Sequence, residues 1–124
     1  MQEIKQAAQM LKQNGYALIP KFISPEVCKA AMDEINGLVD SFEPTPQQIT
    51  IFDGDSGKSS HRLSKYFLDS ASKISYFFEA QAWKDGKLTV PKQQSINKIG
   101  HSLHEHNKLF QDITYTDGVE ELCY

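Results

Sequence analysis

Ser95-Ile96-Asn97-Lys98-Ile99-Gly100-His101-Ser102-Leu103-His104 is the stretch on which the reading of this chain turns. It sets one lysine inside a short strand-like alternation, stops at a glycine and opens into a histidine-rich helical segment. Successive side chains of an extended strand point to opposite faces, so Ile96 and Lys98 are expected on one face and Asn97 and Ile99 on the other. Lys98 then projects into the space that Ile96 lines. From periodicity alone the simpler reading is an ordinary strand-end lysine with its ammonium in water, because lysines are seldom fully buried.

Working outward, residues 3–14 read as a helix with Ile4, Ala7, Ala8 and Leu11 on one face. Asn14-Gly15 stops it, since glycine takes the left-handed conformation of a C-terminal cap. Residues 16–22 read as a strand, with Pro20 marking an edge or an end. Ser24-Pro25 opens a second helix, the serine as cap and the proline in the first turn. Val27, Ala31, Ile35, Leu38 and Phe42 supply its apolar stripe, and Pro44 and Pro46 end it. Residues 48–52 read as a short strand and 53–60 as a glycine- and serine-rich loop. Tyr66-Phe67-Leu68 and residues 74–78 are apolar runs separated by Asp69-Ser70-Ala71-Ser72, a pattern that suits a β-hairpin. Asp85-Gly86 is a turn leading into residues 87–90. Asn107 caps a helix carrying Leu109, Phe110 and Ile113, and Asp117 caps a last one with Glu120 as its box partner. Lys92 and Lys108 read as solvated. There is no internal repeat and no linker.

The chain has 124 residues, enough for one domain. Its 40% hydrophobic and 23% charged fractions are those of an ordinary globular chain. A net charge of −3 provides no general attraction to nucleic acid or to an anionic membrane. No apolar run has the length of a membrane span, and residues 1–14 are too polar for a signal peptide. Cys28 and Cys123 lie far apart and form no CxxC, so two reduced thiols are a simpler reading than a disulfide. The expectation is a soluble, cytoplasmic protein.

Three segments resemble the phytanoyl-CoA dioxygenase family of iron(II)/2-oxoglutarate oxygenases. They are Gly15-Tyr16-Ala17-Leu18-Ile19-Pro20 with Phe22-Ile23-Ser24, then Tyr66-Phe67-Leu68 through Phe77-Phe78-Glu79, and the 95–104 stretch continued through His106 and Phe110 to Thr114. The opening motif is weak by itself; Ser-Ile-Asn-Lys-Ile-Gly-His is far more specific, and residues 47–61 match poorly. The resemblance implies an α+β fold, the N-terminal helices and strands of a double-stranded β-helix (jelly roll) whose core lies mainly downstream of residue 124. Residues 1–124 are then a single partial domain. It also implies Fe(II), 2-oxoglutarate and dioxygen as reactants and hydroxylation of a small organic substrate, acyl-CoA-like molecules among the classes. The family's 2-oxoglutarate lysine falls on Lys98. The chemistry agrees, because an anionic co-substrate withdrawn from water needs a fixed cation.

Iron in such a site needs two histidines and one carboxylate on one face of the metal. In the family the first two come as His-x-Asp or His-x-Glu. Here His61 precedes Arg62-Leu63, His101 precedes Ser102-Leu103, His104 precedes Glu105-His106, and His106 precedes Asn107-Lys108. No catalytic residue and no metal ligand is therefore assigned, and the chain alone is expected not to turn over 2-oxoglutarate. His101 and His104 lie one helical turn apart with Glu105 nearby, but a structural zinc needs a fourth ligand. Surface or hydrogen-bonded packing groups are the simpler reading of the histidines. Gly57-Lys58-Ser59 lacks the earlier glycine of a phosphate loop, since Phe52 stands there. Asp53 and Asp55 lack the glycine and glutamate of a calcium loop, which fall on Lys58 and Ser64.

Two other classes stay open. One is a non-catalytic binding module whose apolar faces pair with a partner; the other is a small metal-binding domain built on the three histidines. Tyr66, Phe67, Ile74, Phe77, Phe78, Ile96 and Ile99 suit a larger barrel, so the chain by itself is expected to self-associate.

Overall fold

Ile4 and Ala7 are the buried positions of an otherwise polar segment, and their helical spacing makes α1 (Gln2–Asn14). Gly15 ends it at φ +79°, its N–H donating to the Leu11 carbonyl at 2.9 Å. The computed structural model describes residues 2–45, 48, 51–52, 65–79 and 81–123. The second helix, α2 (Pro25–Ser41), opens at Ser24, whose Oγ accepts from the Val27 N–H at 3.3 Å. Val39 is its buried residue, flanked by half-buried Val27, Ala31, Ile35, Leu38 and Phe42. Past α2 the chain runs through β1 (Ile51–Phe52), α3 (Lys65–Leu68), a 3-10 turn (Asp69–Ser72) and β2 (Ile74–Glu79). Then come β3 (Trp83–Lys84), β4 (Lys87–Leu88), the single turn α4 (Lys92–Ser95), β5 (Ile96–His101), α5 (Leu103–His106), α6 (Lys108–Thr114) and α7 (Val119–Cys123).

The main sheet has the order β1-β2-β5, with β1 parallel and β5 antiparallel to the central strand. Phe77 and Phe78 on β2 are both 0% exposed. Adjacent strand residues face opposite sides, so the two rings anchor both faces of the sheet, each with about 1.5–3 kcal/mol of burial. On one face Phe42 stacks on Tyr76 at 4.0 Å, and Trp83 meets Phe78 edge-on at 5.2 Å. On the other, Phe77 packs against Tyr66 and Phe67 at 5.6 and 5.7 Å. The result is α+β: α2 and the β3–β4 hairpin lie against one side and α3 against the other. Asp85-Gly86 closes that hairpin with φ of 51° and 76°, the two positive values a type I′ turn requires.

The strand expected over residues 16–22 is absent. Residues 16–19 are extended but pair with no strand among the described residues, and Lys21 turns to φ 59°. Tyr16 and Leu18 stand 67% and 77% exposed. A strand is a paired object, and alternation alone does not supply the partner.

The hairpin expected over 65–78 is also corrected. Its first arm is the helical turn α3, continued by the 3-10 turn, and only its second arm is a strand. Lys65 pairs with Asp69 at 2.6 Å across the turn, a hydrogen bond that holds the Asp69 carboxyl below its usual range. The Tyr66 hydroxyl accepts from the Tyr76 N–H at 3.0 Å and donates to the Tyr76 carbonyl at 3.3 Å. A side chain thus takes the edge of β2 that a hairpin arm was expected to occupy.

Smaller differences follow the same logic. Of residues 48–52, Ile51 and Phe52 form a strand, beside Phe78 and Glu79. β5 starts at Ile96 because Ser95 closes α4, its Oγ donating to the Lys92 carbonyl at 2.7 Å. Asn107 caps α6 through Oδ1 as expected, and its Nδ2 reaches Glu34 of α2. α7 starts at Val119, so Gly118 rather than Asp117 takes the capping position. The expected 53–60 loop, His61 and the phosphate- and calcium-loop look-alikes lie outside the described residues.

Candidate functional site

Lys98 sits in β5 directly opposite Phe77, while Ile96, two residues earlier, sits opposite Phe78. Two neighbouring residues of β2 thus face positions two apart on β5, which makes Asn97 the extra residue of a β-bulge. Cross-strand partners share a face, so Ile96 and Ile99 lie on the side of Phe78 and Tyr76, and Lys98 lies on the side of Phe77. The expectation that Ile96 and Lys98 share a face is therefore overturned by the bulge. Asn97 joins Lys98, as its Nδ2 donates to Glu79 Oε1 at 3.0 Å, two residues along β2 from Phe77.

The Lys98 stem runs along the strand over Gly100. A Cβ built on Gly100 would lie 3.4 Å from Lys98 Cε. Across the ladder from Lys98 is Phe77, and beside the Phe77 ring is His101, with centroids 5.8 Å apart. His101 also meets Phe67 edge-on at 5.7 Å. Ser70, 0% exposed, fixes the imidazole: its Oγ lies 2.5 Å from the Phe67 carbonyl and 2.9 Å from His101 Nδ1. A carbonyl cannot donate, so the single hydroxyl proton goes to Phe67. Ser70 must then accept from His101 Nδ1–H, which leaves Nε2 as the acceptor of the neutral ring. This face thus carries a cation on a short tether, an aromatic floor and a tautomer-fixed imidazole. β5 also borders a cavity of about 310 Å³ against α2, whose lining includes Val39, Ile96, Ile99 and Leu103 and also Asn97 and Lys98.

The three clustered histidines point to three different partners. His101 Nδ1 goes to Ser70, His106 Nε2 lies 2.8 Å from the Ser72 carbonyl, and His104 Nε2 lies 3.4 Å from Glu105. Among the described residues no three His, Cys, Asp or Glu side chains are grouped to hold a metal ion. Cys28 and Cys123 are exposed free thiols. No helix of the described residues is long and apolar enough to cross a membrane.

The phytanoyl-CoA dioxygenase (PhyH) family profile matches residues 11–123. The chain belongs to the phytanoyl-CoA dioxygenase family. A Dictyostelium discoideum protein described as phytanoyl-CoA dioxygenase domain-containing protein 1 homolog is 37% identical over 113 residues, 91% of this chain and 39% of the relative. Phytanoyl-CoA dioxygenase domain-containing protein 1 of Danio rerio is 34% identical over 121 residues, 95% and 42% respectively. The phytanoyl-CoA dioxygenase of Arabidopsis thaliana is 39% identical over 110 residues, 88% and 38%. The chain thus spans about two fifths of the length of these curated relatives.

In this family member Lys98 and Lys92 are the lysines, among the described residues, that are partly withdrawn from solvent. Lys92 is structural, which the sequence reading missed. Its ammonium donates to the Asp40 and Phe42 carbonyls at 2.8 and 2.9 Å, closing the C-terminal end of α2. Lys108 does behave as expected, forming an exposed pair with Asp112 one helical turn on. Ser70 was also missed as the partner of His101, and Phe77 as the cross-strand partner of Lys98. The local signal for Ser70 was that of a turn serine, and nothing in its flanks marks a partner 31 residues away.

Proposed function

We propose that these residues form the 2-oxoglutarate-binding portion of an Fe(II)- and 2-oxoglutarate-dependent oxygenase of the jelly-roll type, a single partial domain of a longer protein that hydroxylates a small organic substrate. Membership of the phytanoyl-CoA dioxygenase family supports this reading. The observation that carries it is the placement of Lys98: half-buried on an ordered strand, opposite a fully buried phenylalanine, in the segment most specific to the family. Lys92, the other withdrawn lysine, is committed to the end of α2. In this reading Lys98 takes a carboxylate of 2-oxoglutarate, and Phe77 across the ladder excludes water and strengthens the charge-assisted contact. When bound, 2-oxoglutarate supplies two electrons to the reduction of dioxygen as it loses carbon dioxide and becomes succinate.

The described residues do not fit the iron. His101 and His106 are turned to separate partners, His104 lies against its own neighbour, and no His-x-Asp or His-x-Glu pair occurs in the sequence. In the proposed reading the iron ligands, and most of the substrate pocket, belong to sequence outside these 124 residues.

The test is 2-oxoglutarate affinity, by calorimetry, of the complete protein containing these residues. Lys98→Ala should lower it about tenfold to a hundredfold, the ~1.5–3 kcal/mol of a charge-assisted contact. Lys98→Arg should restore little, because the planar guanidinium needs a different geometry. Lys108→Ala should be neutral. Parent-like affinity of Lys98→Ala would return Lys98 to an ordinary surface lysine.

A second reading, a non-catalytic interaction module, is favoured by exposed apolar side chains. Met10, Leu11, Tyr16 and Leu18 are 42%, 39%, 67% and 77% exposed on α1 and the segment after it. Such a surface takes a protein partner or a second copy. Sedimentation decides: association that persists in the complete protein containing these residues supports this role, and a clean monomer removes it.

A further inference from the structure

We infer that Gly100 is a positioning residue of the Lys98 site, a role that deepens, and rests on, the co-substrate reading of Lys98. Three observations converge on it. Gly100 is buried and pairs with Ser75, which places it on the Phe77 face of the ladder, directly beside Lys98. Its φ is not in the positive range: the glycines with positive φ are Gly15, Gly86 and Gly118, and Gly100 is not among them. What a side chain there would meet is the Lys98 stem, with Cε 3.4 Å from the Cβ position.

The missing side chain leaves open the space beside the Lys98 stem. An alanine at position 100 stands at the limit of ordinary contact with Lys98 Cε. A β-branched residue adds methyl groups in the volume the stem occupies. The stem must then leave the strand, and the ammonium leaves with it, because a lysine stem shifted at Cε carries its charge to a new place. With Gly100 present the stem lies along the strand, within contact distance of position 100. The cation is thereby held on the sheet before any ligand arrives, and less rotamer freedom is lost on binding.

The experiment is a substitution series in the complete protein containing these residues, with 2-oxoglutarate as the probe in calorimetry and thermal melts alongside. Gly100→Ala should weaken binding a few-fold and Gly100→Val by about tenfold or more, the loss expected when a charge-assisted contact is displaced. Gly37→Ala, in α2 with nothing within 4 Å of its Cβ, is the control and should bind as the parent does. The decisive arm is coupling: in a Lys98→Ala background the Gly100 substitutions should change affinity by less than about twofold. A purely structural role for Gly100 predicts the same loss in both backgrounds and would overturn the inference. So would parent-like binding of Gly100→Val beside a clear loss in Lys98→Ala. If Gly100→Val does not fold, Gly100→Ala and Gly100→Ser carry the same coupling test. Parent-like binding of Lys98→Ala itself overturns the co-substrate reading, and this inference with it.

Discussion

Lys98 stands opposite Phe77 across the β2–β5 ladder, and Asn97, the residue before it, has no partner of its own there. That one unpaired residue decides which side of the sheet receives the cation. It lets Ile96 and Ile99 pair on the side of Phe78 and Tyr76 while Lys98 pairs opposite Phe77, and all three border the cavity against α2. A regular strand would have put Ile96 and Lys98 on the same side, and one of the two environments would have been wrong for its side chain.

Lys92→Ala should destabilise the fold by about 1–2 kcal/mol, because it removes a charged donor from two carbonyls at the end of α2. The side chain is 19% exposed, so screening by water is limited. Chemical denaturation of the parent, Lys92→Ala and Lys92→Met would separate the charge from the stem. A midpoint for Lys92→Ala equal to that of Lys108→Ala would show that the contacts contribute nothing measurable.

Nε2 of His101 should be unprotonated in the neutral ring, because the one proton of Ser70 is given to the Phe67 carbonyl. Long-range proton–nitrogen correlation spectra of the histidine rings report this directly. Ser70→Ala should release the tautomer and, by removing a buried hydroxyl that bonds both Phe67 and His101, cost about 1–3 kcal/mol. A parent spectrum with the proton on Nε2 would reverse the assigned direction of the Ser70 bond.

Stability should fall as pH rises above 10. Burial, with a smaller contribution from Tyr66, raises the pKa of Tyr76 above its ordinary value of 10.0. The folded state then holds the proton more tightly than the unfolded state. The stability this contributes is fully present below the ordinary tyrosine pKa and is lost as pH rises through the folded one. Tyr76→Phe should flatten this alkaline limb at a modest cost near neutrality from the lost 3.3 Å bond to the Leu38 carbonyl. Denaturation midpoints between pH 8 and pH 11 for both proteins make the comparison; parallel curves would contradict it.

The amides of residues 16–19 should exchange with solvent quickly, and those of Tyr76 to Phe78 slowly. The former donate no hydrogen bond among the described residues, whereas the latter lie in the buried central strand. Hydrogen exchange read by mass spectrometry on short peptides distinguishes the two. Protection at 16–19 would mean that this extended segment has found a strand partner.

The sequence by itself determined whatever is decided within a few residues. α1 with its Gly15 stop, α2 with its Ser24 cap, the Asp85-Gly86 turn and the Asn107 cap all follow from local hydrogen bonding and backbone preference, and each lies where the pattern put it. So does the strand holding Lys98, and the family resemblance read from residues 95–104. What only the tertiary structure decided are matters of partnership. Residues 16–22 alternate as a strand does and yet form none, because no neighbour among the described residues pairs with them. Tyr66-Phe67-Leu68 is apolar enough for a hairpin arm, but the Tyr66 hydroxyl meets Tyr76 and the segment coils into a helical turn. Lys92 looks like any polar surface residue until α2 ends beside it, 50 residues away in sequence. The face on which Lys98 stands was settled by a bulge, and a bulge belongs to two strands at once: its register is set by which side chains of β2 and β5 bury best together, a quantity no single segment contains.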